Sequence, residues 1–138
     1  MDAPPRRIRH LNFQAPKIAK PRRNGGAFVL YGIMNMDFSK LSGLIPAVVQ
    51  DDTSGEVLMV GFMNDEALQR TRTTGFATFF SRSRNKLWTK GETSGNRLKV
   101  TDLLVDCDDD TVLLKVTRLG DGNVCHTGER TCFFRRVE

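Results

Sequence analysis

The chain has 138 residues, 21 Lys and Arg against 16 Asp and Glu, a net charge of +5 and three cysteines. That length suits one domain; no stretch reaches the roughly eighteen apolar residues of a membrane span, and no secretory signal pattern opens it. The positive excess is local. Residues 1–24 carry seven basic side chains against Asp2 alone, and residues 25–138 carry fourteen against fifteen acids. Such a segment can touch nucleic acid or lipid headgroups. It has no aromatic interleaving and no recognition module, so neither nucleic acid nor membrane is the expected partner.

Residues 1–38 lack a sustained period, because Pro4, Pro5, Pro16, Pro21 and Gly25-Gly26 interrupt it. Residues 1–36 are expected to be a basic, disordered extension, since 1–24 has only Ile8, Leu11, Phe13 and Ile18 as large apolar residues, too few to offset ordering. A transit peptide would be rich in serine, yet the first serine is Ser39. The domain is expected over 37–138. Leu44–Gln50 reads as a strand in which Pro46 suits an edge or a strand start. Asp51–Gly55 reads as a hairpin loop, and Glu56–Phe62 as the returning strand. Asn64 predicts a helix cap, Asp65 and Glu66 suit the first turn, and Gly75 predicts the stop, so the one main helix is expected at about 64–74. Further strands are predicted over Phe76–Phe80, Lys86–Thr89, Leu98–Val105, Thr111–Leu119 and Thr131–Arg136. Many strands and one helix imply an α+β domain on an antiparallel or mixed sheet.

The chemistry concentrates near the C-terminal end. Every cysteine lies in one of two motifs, Asp106-Cys107-Asp108-Asp109-Asp110 and Cys125-His126-Thr127-Gly128-Glu129-Arg130-Thr131-Cys132. Three thiolates can hold one zinc ion and leave its fourth position open for water. The alternate carboxylates of Asp106, Asp108 and Asp110 are hard ligands of the kind magnesium or calcium takes. If strand geometry persists through the tip, these three share one face and Cys107 takes the other. Such carboxylates repel one another unless a cation or water intervenes. An acidic turn and inert cysteines are the plainer readings of each motif alone. An odd number of cysteines and no secretory signal make a reducing cytoplasm the expected compartment.

Further blocks are Gly43–Asp51, Gly55–Met59 with Phe62-Met63-Asn64, Ser81-Arg82-Ser83-Arg84, and Leu87–Asn96 with its Trp88-Thr89-Lys90-Gly91-Glu92-Thr93-Ser94-Gly95 run. Together with the two cysteine motifs, they run almost end to end from Gly43 to Arg135 and resemble the phosphoribosyl-AMP cyclohydrolase family of histidine biosynthesis. The resemblance implies zinc held by Cys107, Cys125 and Cys132, and magnesium held by Asp106, Asp108 and Asp110. It also implies an intertwined homodimer whose shared zinc site takes Cys107 from one subunit and the other two cysteines from its partner. The implied reaction is hydrolysis of the N1–C6 bond of the adenine ring by zinc-activated water, a carbon that zinc deaminases also attack.

His126 is the candidate proton shuttle, since histidine titrates near neutrality. Ser81, Arg82, Ser83 and Arg84 offer two guanidiniums and two hydroxyls to the substrate phosphates. Lys90, Thr93, Ser94 and Asn96 add donors on a Gly-punctuated loop, and Trp88 is a candidate to stack on the base. The rival reading is a structural-zinc binding module that uses the basic segment for nucleic acid. It would need a fourth protein ligand, for which His126 is the obvious residue.

Overall fold

Alternation between buried and half-exposed positions organises the sheet. In the strand Ile45–Asp51 (β1), Ile45, Ala47, Val49 and Asp51 point inward, as the period of two requires. The computed structural model describes residues 35–138. The basic segment therefore lies outside the described residues, apart from Asn35 and Met36. The other elements are β2 (Val57–Met63), α1 (Asp65–Thr74), β3 (Thr78–Ser81), β4 (Lys86–Thr89), β5 (Leu98–Val105) and β6 (Val112–Arg118).

The expected α+β class is observed, with a mixed sheet. Four strands lie in the order β2-β1-β6-β5, and β3 and β4 form a separate hairpin. β1 pairs antiparallel with β2 and parallel with β6. β1 is thus an interior strand, so Pro46 is not at an edge. The proline is tolerated as a strand start: pairing with β6 begins only at Ala47, so the absent N–H leaves that ladder whole.

The helix lies where its end signals put it. The Asn64 side chain accepts from the Ala67 N–H at 2.8 Å, and Gly75 closes it with φ 77° and its N–H on the Thr71 carbonyl, the left-handed cap that favours glycine. Ala67, Leu68 and Thr71 face inward. They join Leu58, Met63, Phe79, Leu114 and Val116 in one core, against which Met36, Phe38 and Trp88 pack. Phe79 is fully buried, a side chain whose burial is worth about 1.5–3 kcal/mol. Gly61 makes room for it: a Cβ there would meet Phe79 Cδ1 at 2.6 Å.

Two features position the motifs. β2 bulges beside β1, whose register shifts between Val49 and Gln50, and Leu58 and Met59 both turn inward. The Leu58 carbonyl then accepts the Cys132 N–H at 2.8 Å. Secondly, the β5–β6 hairpin ends in a turn at the end of the sheet where β6 begins. The cysteine loop follows from the opposite end, where β6 finishes.

Thr131–Arg136 is not a strand, contrary to expectation. The Thr131 hydroxyl takes up the Val57 and Leu58 carbonyls, and Phe133 and Phe134 are exposed. The Cys132 N–H bond to Leu58 is not extended into a ladder, and the Phe133 N–H turns to the Thr131 hydroxyl. Phe76–Phe80 is also shortened: Phe76 makes only an isolated bridge to Lys99. No helix among the described residues is long and apolar enough to cross a membrane.

Candidate metal centres and ligand surface

The acidic tip is a turn, and the strand alternation expected there does not hold. β5 ends at Val105, and Asp109 adopts φ 61°. Asp106 organises the turn: its Oδ1 accepts the N–H of Asp110 at 3.1 Å and of Thr111 at 3.2 Å. The turn nevertheless brings one carboxylate oxygen each from Asp106, Asp108 and Asp110 within 4.8 Å of one another. This is the one group of three His, Cys, Asp or Glu ligand atoms gathered among the described residues.

A cation already sits against it. The Lys40 ammonium lies 2.9 Å from Asp108 Oδ2 and 2.8 Å from Asp110 Oδ2. Bonds to Asp110 and then Asp108 push the Lys40 pKa above its ordinary value, and Lys40 holds the Asp110 carboxyl below its own. The ammonium shows that Asp108 and Asp110, two of the three, converge on a positive charge. Three hard oxygens so placed fit a divalent cation of the magnesium or calcium class. Lys40 had no signal in the sequence, because it lies 68 and 70 positions from its partners.

The soft centre is divided. Cys125 is buried, while Cys107 and Cys132 are exposed. The Thr127 hydroxyl donates to Cys125 Sγ at 3.0 Å. That bond, followed by the Thr127 N–H, holds the Cys125 thiol below the ordinary range, and Cys132 and Lys90 add to it. Burial, and then Cys125, push Cys132 up. Two neighbouring thiols, one with its pKa lowered, are donors of the kind a soft metal takes. Cys107 belongs to the other end: its Sγ is 4.0 Å from Asp108 Oδ1. Cys107 precedes β6, whereas Cys125 and Cys132 lie in the loop that follows it, and among the described residues the three thiols are not gathered into one group. His126 is exposed beside Cys125.

The cysteine loop is held from several sides. Arg130 clasps Glu56 with contacts of 2.8 and 3.1 Å. Arg118 spans buried Asp51, at 2.8 Å, and the Gly122 carbonyl, at 2.9 Å. Asn96, expected to be a ligand donor, turns its Oδ1 to the Asp121 N–H at 3.1 Å. It thereby ties the loop after Lys90 to the approach to Cys125. Gly91 permits that packing, since a Cβ there would meet the Asn96 carbonyl carbon at 2.3 Å. Ser94 accepts from the Asn96 N–H, and Thr93 is exposed.

Ser81–Arg84 lies on the turn between β3 and β4. Ser81 and Ser83 hydroxyls approach to 3.4 Å, and the Arg84 N–H reaches Ser81 Oγ at 3.3 Å. Beside the turn is an open concavity of about 620 Å³, lined by Phe62, Phe80, Ser81, Arg82, Ser83 and Trp88 among others. Phe62 and Phe80 were missed because an aromatic residue in a strand reads as core. The Arg82 guanidinium lies 4.1 Å from the Phe62 ring centre, a cation–π contact. Trp88 packs on Phe79 with ring centres 5.0 Å apart and also lines the concavity.

The family model described as phosphoribosyl-AMP cyclohydrolase matches residues 59–134. Curated proteins of that name align with the chain over most of their length. The one from Solibacter usitatus is 60% identical over 105 residues, covering 76% of this chain and 82% of that protein. The one from Desulfatibacillum aliphaticivorans is 57% identical over 106 residues, covering 77% and 84%. The one from Listeria monocytogenes is 49% identical over 106 residues, covering 77% and 97%. The aligned stretch contains the tip, the cysteine loop and the concavity, and the chain belongs to the phosphoribosyl-AMP cyclohydrolase family.

Proposed function

We propose that the chain hydrolyses the N1–C6 bond of the adenine ring of phosphoribosyl-AMP, the third step of histidine biosynthesis, in a reducing cytoplasm. The observation that carries this is the 60% identity over 105 residues to a protein of that name. Cys107, Cys125 and Cys132 would hold zinc; Asp106, Asp108 and Asp110 would hold magnesium. What zinc supplies in such a set is a water acidified to a pKa of about 7.

The rest falls to the protein. His126, exposed beside Cys125, takes the proton from the attacking water and returns it to the departing ring nitrogen. Water adds at C6, the N1–C6 bond breaks, and the ring opens to a carboxamide and a formimino group. Arg82 and Arg84, with Ser81 and Ser83, bind phosphate, and Trp88 offers an aromatic face to the base. Lys90 brings positive charge to the two neighbouring thiols and, with Thr93 and Ser94, adds donors on its loop.

The working unit is a homodimer in which Cys107 of one copy joins Cys125 and Cys132 of another. That one chain does not gather the three thiols among the described residues supports this. So do the exposed apolar residues Val57, Val60, Phe133 and Phe134, along the open edge of β2 and the chain that follows Cys132. The test is to supply phosphoribosyl-AMP to the zinc- and magnesium-loaded full chain and follow the absorbance of ring opening. AMP without the N1 substituent should be inert. No turnover by the loaded protein would overturn the assignment.

A further inference from the structure

The acidic tip brings its own counter-ion from a distant segment. Lys40 precedes β1, and three contacts fix its neighbourhood. The Asp37 N–H reaches the Asp109 carbonyl at 2.6 Å, and the Gly43 N–H closes on Phe38 at 2.8 Å. The Ser39 N–H caps on Asp37 Oδ1 at 2.9 Å. Met36 and Phe38 pack against the core. The backbone under Lys40 is therefore anchored to the turn that carries the carboxylates, and its four-carbon stem delivers the ammonium.

The ammonium uses the Oδ2 atoms of both Asp108 and Asp110. It does not engage Asp106, whose Oδ1 is committed to backbone N–H groups. Lys40 already draws on one oxygen each of Asp108 and Asp110, two of the three carboxylates that a divalent cation there would draw on. The cation would also meet the like charge of the ammonium. The two occupants compete.

We propose that Lys40 is an intramolecular competitor for the divalent cation at Asp106, Asp108 and Asp110, so that metal binding there is an exchange of ammonium for cation. The inference rests on the hard-ion reading of the tip. Lys40 keeps the repelling carboxylates together while no cation is bound, and it sets the concentration at which a cation takes over. Its side chain is 45% exposed, so it can swing into water without unpacking anything. Monovalent ions, no better charged than the ammonium, gain little from the exchange, so the device favours divalent ions.

The experiment is titration of the zinc-replete full chain with Mn²⁺, followed by electron paramagnetic resonance, for the parent, Lys40→Met, Lys40→Arg and Asp108→Asn. Lys40→Met removes the charge at similar length and should bind Mn²⁺ about three- to tenfold more tightly, the range expected for two exposed ion pairs. Lys40→Arg keeps the charge and should stay within about twofold of the parent. Unchanged or weaker binding in Lys40→Met, with binding still lost in Asp108→Asn, would overturn the competition and leave the site standing. Equal tightening in Lys40→Arg would also overturn it, because charge would not be the cause. No Mn²⁺ binding in any of the four would remove the site itself, and the inference with it.

Discussion

The two candidate metal centres are built in opposite ways. The hard one is gathered by a single turn, and its three carboxylates converge within one chain. The soft one is split, with Cys107 at the tip and Cys125 and Cys132 in the loop after β6, and one chain does not gather the three among the described residues. A turn can collect neighbours in sequence at little entropic cost. If the two sets hold metal as proposed, the acidic one can load in a lone chain, whereas the three-thiolate one would need a second copy and would report on association.

The largest effects should come from splitting that soft centre deliberately. Cys107→Ser, Cys125→Ser and Cys132→Ser should each abolish zinc binding and turnover, since a hydroxyl does not replace the soft charge of a thiolate. Cys107→Ser and Cys125→Ser fail on opposite sides of the shared site. When mixed and allowed to exchange subunits, they should recover about a quarter of parental activity, because half the dimers are mixed and each holds one intact site. The readouts are elemental zinc and rate. No recovery after verified exchange would mean that all three thiols come from one chain, and the contrast drawn above would collapse.

The hard centre should break differently. Asp108→Asn removes a carboxylate charge without touching a thiol. It should weaken magnesium affinity by about tenfold or more, the scale on which even indirect partners of a metal matter. Zinc content should stay intact. Chelation at low concentration should inhibit, and magnesium should restore the rate. Full activity of Asp108→Asn at limiting magnesium would reduce the tip to an acidic turn.

A smaller effect tests how the cysteine end is held. Asp51 is buried, and its carboxyl is held below the ordinary range by the Ser54 N–H and by the Arg118 guanidinium. A carboxylate with a lowered folded-state pKa stabilises above the unfolded value of about 3.9 and loses that stabilisation as pH falls through its folded value. Asp51→Asn keeps an acceptor for the N–H groups but leaves Arg118 without its ion pair. It should cost about 2 kcal/mol at neutral pH, with the gap to the parent closing below about pH 4. Denaturant melts at pH 7 and pH 3 measure it. An equal gap at both values would show that packing, not charge, is what Asp51 contributes.

How much of this was legible in the sequence follows the same division. Local signals read well: Asn64 and Gly75 bound the helix, and Leu103–Val105 and Val112–Leu114 marked the strands around the tip. The convergence of Asp106, Asp108 and Asp110 was legible because neighbours in sequence are there neighbours in space. The parallel pairing of β1 with β6 was not, since it joins segments on opposite sides of the whole domain. Lys40 on the tip and Asn96 on Asp121 were hidden for the same reason. Thr131 misled the strand reading because its hydroxyl, invisible to apolar patterning, receives the Phe133 N–H that a ladder would have used.

The smallest expected effect concerns the tip end. Its neighbouring segment runs from Met36, which packs on the core, through Asp37, which reaches Asp109, to Lys40. Each contact that steadies Lys40 lies at or after Met36. The family match likewise involves later residues, 59–134. Translation begun at Met36 should therefore give a protein with the rate, Mn²⁺ affinity and melting temperature of the full chain. The changes should stay within the roughly 0.5 kcal/mol typical of surface alterations. Comparing 36–138 with the full chain checks all three. A fall in melting temperature would mean that residues 1–35 pack on the domain. A fall in rate at unchanged stability would mean that their seven basic side chains help hold the substrate phosphates. A change in Mn²⁺ affinity alone would mean that those charges reach the tip, and that Lys40 is not its sole competitor.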